Sequence, residues 1–131
     1  MGHNLSPFCV YTIRHQKDLD EAYHGNGSDK FTENKVWKTG HRLFLEAERN
    51  GQRMPVIFAS ADVTDKLRYY AVLSDFELDE VNFTTSYQFT DLEPVKGDLP
   101  LSTLRLRSTN RPLSDNYIRP YAICHTPSFI S

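Results

Sequence analysis

No run of apolar residues in this chain is long enough to cross a bilayer, and residues 1–4 (MGHN) lack the basic-then-apolar pattern of a secretory signal. A membrane partner is therefore not expected, and the expected compartment is the cytoplasm. Cysteine is scarce. Cys9 and Cys124 stand near opposite ends of the 131 residues and read as free thiols in a reducing compartment, with a disulfide between the termini as the alternative. Neither sign of charge dominates, since 15 Lys and Arg against 17 Asp and Glu leave a formal net charge of −2. Such a chain does not attract phosphate through its whole surface, so any contact of that kind needs a local patch. The glycine spacing of a P-loop is missing, as are internal repeats and low-complexity tracts. Among five histidines and two cysteines only adjacent Cys124 and His125 lie close in sequence, and neighbours on a strand point to opposite faces. No metal and no cofactor is expected.

The length suits one compact domain spanning residues 1–131, large enough to bury its own core. Its centre is the stretch from Met54 to Asp79, MPVIFASADVTDKLRYYAVLSDFELD. Val56 to Ala61 and Tyr69 to Leu73 are short runs apolar on both faces, which places both strands inside a sheet or lining a barrel. Asp62, Thr64 and Asp65 favour a turn between them.

Ahead of this hairpin, Phe8 to Arg14 (FCVYTIR) predicts a first strand. Gln16 to Asn34 is polar, with Gly25 to Asp29 expected to be a mobile loop and at most a short helix around Leu19 to Tyr23. Gly40, Leu43, Phe44 and Ala47 fall on one helical stripe, with Thr39 as the expected cap, Gly51 as the left-handed stop, and Arg42 and Glu46 spaced to pair. After the hairpin, Phe83 to Leu92 predicts a strand in which Tyr87 and Phe89 share a face. Leu101 to Arg107 fits either a strand or a short helix, and the two prolines between Tyr117 and Ile130 limit that stretch to an edge strand or broken extended segments. The order predicts an α+β, mainly β fold: a mostly antiparallel sheet curled into a small barrel, with one or two flanking helices and local turns between strands.

This layout of a strand, a helix after a tryptophan, the hairpin VIFASADVTDKLRYYAVLSDFEL and further strands resembles the PUA-like superfamily that includes the EVE, ASCH and YTH domains. The resemblance implies a pocket at one end of the barrel for a base, often a modified one, flipped out of RNA or DNA. Reading such a base takes aromatic faces for stacking and polar groups for its edge. Trp37, Tyr69, Tyr70, Phe76, Tyr87 and Phe89 supply rings, and Ser60, Asp62, Thr84, Thr85 and Ser86 supply polar groups. Lys35, Lys38, His41, Arg42, Arg105, Arg107, Arg111 and Arg119 supply cations for phosphates. The expected ligand-binding set is Trp37, Lys38, Thr39, Ser60, Asp62, Tyr70, Thr85, Arg105 and Arg107, with nucleic acid or a modified nucleoside as partner and a homodimer as an option.

Each signal has a plainer reading. Phe44, Phe58 and Phe89 belong to a core. Trp37, in the polar context ENKVWKTGHR, is either a pocket ring or a lid over the core. Lys38 to Arg42 is either an anion-binding helix start or a solvated N-terminal turn. Arg105 and Arg107 would share a face if their segment is a strand, giving either a basic ridge or an ordinary solvated surface. Two other functions stay open. The ASCH resemblance implies small amidohydrolases that work with lysine, threonine and glutamate, for which Lys38, Thr39 and Glu46 are the candidates here. The third reading is a protein-protein interaction domain using the aromatic hairpin.

Overall fold

A computed structural model describes residues 4–62, 65–114, 117, 119 and 121–130. Its elements are β1 (Phe8–Arg14), α1 (Gln16–Gly25), β2 (Asp29–Glu33), α2 (Lys38–Arg49), β3 (Pro55–Ser60), β4 (Leu67–Asp79), β5 (Thr84–Pro94) and β6 (Tyr121–His125), with a single 3-10 turn at Leu101–Thr103. The six strands form one sheet in the order β2-β5-β4-β3-β1-β6. Four of its five pairings are antiparallel, and β1 runs parallel to β3 with Val10 opposite Val56 and Arg14 opposite Ser60.

The parallel pair departs from the expected run of local turns. A parallel connection needs a long crossover, and here α1, β2 and α2 make it together. β1 and β3 are both interior strands of the sheet, and both of their faces are covered. On one face α1 and α2 press Leu19, Ala22, Leu43, Phe44 and Ala47 onto Val10, Val56, Phe58 and Phe89. On the other face lie Leu101, Leu104 and Leu113, packed on Cys9, Tyr11, Ile57 and Ala59. This explains why every residue of β3 is buried.

The sheet is open rather than a closed barrel. Two of its elements nevertheless meet across the helix-covered face, through side chains instead of a ladder. The Trp37 ring stacks 5.4 Å from Tyr87 of β5 and 4.3 Å from Tyr121 of β6. Closure by hydrogen bonds is therefore replaced by a plug of rings. Phe76 leans on the same tryptophan at 6.4 Å.

Several local expectations hold. The stripe Gly40, Leu43, Phe44 and Ala47 is the buried face of α2, Gly51 has φ +67, and Arg42 Nη1 lies 3.0 Å from Glu46 Oε2. β6 is an edge strand, and Tyr87 and Phe89 are buried on one face. Others are corrected. Thr39 does not cap α2, whose cap position is Trp37 with no side-chain bond. The polar stretch after β1 holds a ten-residue helix and then a strand, because Phe31 packs edge-on against Phe58 and Tyr87 and draws β2 onto β5. Thr64, expected in the hairpin turn, lies outside the described residues.

Candidate functional site

The sequence-predicted site residues fall into four places. Trp37, Lys38, Thr39 and Thr85 gather at the start of α2. There Trp37 is only 3% exposed, held in the stack described above. Thr85 is buried and fastens the same corner: its Oγ1 accepts from Trp37 N–H at 2.9 Å and donates to Lys35 C=O at 2.6 Å. Gly40 lies so near the plug that a Cβ there would stand 2.8 Å from the Tyr121 hydroxyl, which accepts from Gly40 N–H. Lys38 and Thr39 are exposed, and Glu46 lies two helical turns beyond them, so that trio does not converge.

Ser60 and Asp62 belong to a second place, the carboxyl ends of the parallel strands. Ser60 is fully buried and its Oγ accepts from Asp62 N–H at 3.0 Å. One Asp62 carboxylate oxygen accepts from Gln16 N–H at 2.9 Å, and the other lies 3.9 Å from His15 Nδ1. Asp62 thus supplies the first turn of α1 with an acceptor from outside the helix. Tyr70 packs instead against Phe129, with ring centroids 5.7 Å apart. Arg105 and Arg107 are exposed and adjoin β6: Arg107 N–H donates to Ile123 C=O and Arg105 C=O accepts from His125 N–H.

Gln16, anchored by Asp62, opens onto a cleft of about 460 Å³ lined by α1 (Gln16, Asp20), the start of β4 (Lys66 to Tyr69) and the turn after β5 (Pro94, Val95, Gly97, Asp98). Arg68 C=O accepts from Val95 N–H, Leu67 N–H donates to Leu99 C=O, and Gly97 at φ +80 makes the bend that folds the turn back over β4. Its lining mixes Leu67, Tyr69, Pro94 and Val95 with one amide, two carboxylates and two cations.

The polar groups form one relay. Arg68 Nε donates to Gln16 Oε1 at 3.2 Å, Gln16 Nε2 donates to Asp20 Oδ1 at 3.0 Å, and the Tyr69 hydroxyl donates to the same Oδ1 at 2.7 Å. Both bonds fall on one carboxylate oxygen. The Tyr69 hydroxyl, and after it the Gln16 amide, hold the Asp20 carboxyl below its ordinary range. Burial first, and the bond to Asp20 second, push the Tyr69 phenol up to about 12. Asp20 is therefore an ionised acceptor and Tyr69 a fixed donor over the whole neutral range. Lys66 Nζ lies 3.4 Å from Asp98, so the rim carries paired as well as open charge. Among the described residues no group of three His, Cys, Asp or Glu is placed to hold a metal. The cleft offers a polar ligand one anionic acceptor, one amide and a guanidinium beside the apolar parts of Pro94 and Val95.

Sequence reasoning named Tyr69 among the rings but missed Gln16, Asp20 and Arg68. The available signal was the i,i+4 spacing of Gln16 and Asp20, which only an established helix α1 turns into a shared face.

No protein-family model matches the chain, and no curated protein matches it in sequence. Among solved structures, the fold is similar to the YTH domain of the Zygosaccharomyces rouxii MRB1 protein, determined in complex with N6-methyladenosine RNA. The match has a TM-score of 0.50 at 12% identity and covers 88% of this chain and 78% of that one. The architecture is therefore YTH-like.

Proposed function

We propose that this chain is a nucleic-acid-binding module that takes an unpaired or modified base into the cleft between α1 and the start of β4. The observation that carries the reading is the YTH-like fold over 88% of the chain, shared with a domain solved on methylated RNA. The cleft supports it independently. It lies near the carboxyl ends of the parallel pair β1 and β3, the end at which open sheets with parallel strands commonly take ligands. A base entering it meets Tyr69, Pro94 and Val95 on one side, while Gln16, Asp20 and Arg68 address its edge. Ser60 and Asp62 act one step back by fixing α1, and Trp37 acts as the ring that closes the sheet.

A protein-contact role is the second reading, favoured by Val81 and Phe83, which are 85% and 67% exposed on the turn between β4 and β5.

The test is fluorescence anisotropy of labelled single-stranded oligonucleotides, with and without a methylated base, on the full chain and on Arg68→Ala and Tyr69→Phe. The expected result is saturable binding that Arg68→Ala weakens about tenfold or more, the worth of one charge-assisted hydrogen bond. Equal affinity in the wild type and both variants would place the base elsewhere, and no binding by the wild type would remove the function.

A further inference from the structure

We infer that the hairpin from Arg105 to Pro112 is a docking surface for a phosphodiester backbone, separate from the cleft and indifferent to base identity. The inference rests on the nucleic-acid reading above and adds where the strand lies. Between residues 99 and 114 the chain carries Arg105, Arg107 and Arg111 and no carboxylate. All three arginines are exposed, and among the described residues none has an acidic partner. Arg14, Arg42 and Arg53, by contrast, each pair with a carboxylate at 2.8 to 3.6 Å.

The hairpin is built to hold those cations still. Leu104 and Leu113 at its base are buried, at 0% and 1% exposure. Leu106 N–H donates to Arg111 C=O, Asn110 N–H donates to Leu106 C=O, and Asn110 takes φ +58 at the bend. The bridge of Leu106 to Cys124, and the bonds of Arg105 and Arg107 to β6, lay residues 105–107 antiparallel along the sheet edge. Strand alternation then places Arg105 and Arg107 on one side. Arg105 Nη1 donates to Asn110 C=O at 2.9 Å, and the Arg107 guanidinium lies 4.8 Å over the Phe8 ring. Each keeps further N–H donors for an anion.

Nucleic acid fits this surface better than an anionic bilayer. Leu104 and Leu113 point inward, and the exposed large apolar residues (Tyr23, Leu45, Val81 and Phe83) lie on α1, on α2 and at the β4–β5 turn. Stable interfacial binding to lipid adds the burial of inserted apolar side chains to the attraction of the cations. The rest of the charge distribution also directs a polyanion here. Residues 71–95 hold six carboxylates and no lysine or arginine, so the long β4–β5 hairpin repels phosphate.

The test compares the full chain with the triple variant Arg105→Ala/Arg107→Ala/Arg111→Ala and with the double variant Arg105→Glu/Arg111→Glu, which leaves the Phe8 contact in place. Each is titrated against an unmodified single-stranded oligonucleotide from about 50 mM to about 200 mM salt, with phosphatidylserine vesicles as a second probe. The logarithm of affinity should fall with the logarithm of salt less steeply in the triple variant, by about 0.7 per lost phosphate contact and so by about 2 in all. The double variant should bind more weakly still at low salt. Wild-type slope and affinity in both arginine variants would overturn this surface while leaving the base-reading function standing. Failure of the wild type to bind any oligonucleotide would overturn both. Arginine-dependent binding to the vesicles without binding to the oligonucleotide would assign the surface to a membrane instead.

Discussion

Two clusters of aromatic and polar groups in this molecule look alike in a residue list and behave oppositely in the fold. Trp37, Phe76, Tyr87 and Tyr121 form a dense group of rings, yet they fill space: Trp37 stacks with two of them and is buried, and Thr85 and Gly40 fasten the corner around it. The α1–β4 cleft has one tyrosine and an ordinary set of polar side chains, yet it is open and electrically ordered, with Asp20 ionised and Tyr69 protonated. A ring this deeply buried has no face open to a ligand. Binding capacity here follows unfilled volume and unspent hydrogen bonds, and aromatic count does not reveal it.

The comparison makes predictions that differ most in stability. Trp37→Ala should cost about 3–5 kcal/mol, because a large buried ring leaves a cavity between two others, and chemical denaturation should read this as a lower midpoint at similar slope. Gly40→Ala should cost about 1–3 kcal/mol in the same assay, since its Cβ would meet Tyr121 and Phe76 at 2.8 and 3.2 Å. Thr85→Val should cost about 1–3 kcal/mol by leaving Lys35 C=O and Trp37 N–H without their partner. Tyr69→Phe, in the cleft, should cost only about 1 kcal/mol while removing most of the ligand response.

The smallest effect is also the most specific. Asp20 is held below its ordinary pKa, so its stabilisation is complete above that ordinary value and fades as pH falls through the depressed one. Tyr69 is raised to about 12, so its contribution is complete below about 10 and fades as pH climbs toward 12. Tyr69→Phe should therefore return the Asp20 titration, followed by carboxyl carbon NMR, toward the ordinary value and flatten the acid limb of the stability curve. An Asp20 titration unmoved by that change would show that the hydroxyl is not what holds it.

Much of the fold was legible because local pattern and tertiary role agree. The stripe Gly40, Leu43, Phe44 and Ala47, the stop at Gly51, the first strand and the central hairpin all follow from periodicity or backbone preference. β2 was illegible, because DKFTE has one buried side chain and forms a strand only through its pairing with β5. The parallel β1–β3 pair was hidden for a related reason: two strands apolar on both faces look the same whichever way their neighbours run. The cleft was legible only in fragments, since Gln16, Asp20, Arg68 and Tyr69 are 52 residues apart at their widest bond, Arg68 to Gln16. Trp37 drew attention by its polar neighbours, whereas its burial is set by Tyr87 and Tyr121, 50 and 84 positions along the chain.

The central claim is that a base enters the cleft and leaves the aromatic plug untouched. Trp37 is the sole tryptophan, so its indole N–H gives one signal in a proton–nitrogen correlation spectrum. Titrating the full chain with modified and unmodified nucleosides should shift the Gln16, Arg68, Tyr69 and Gly97 amides and leave that indole signal in place. A moving indole signal with the cleft amides unmoved would contradict the account and return the site to Trp37.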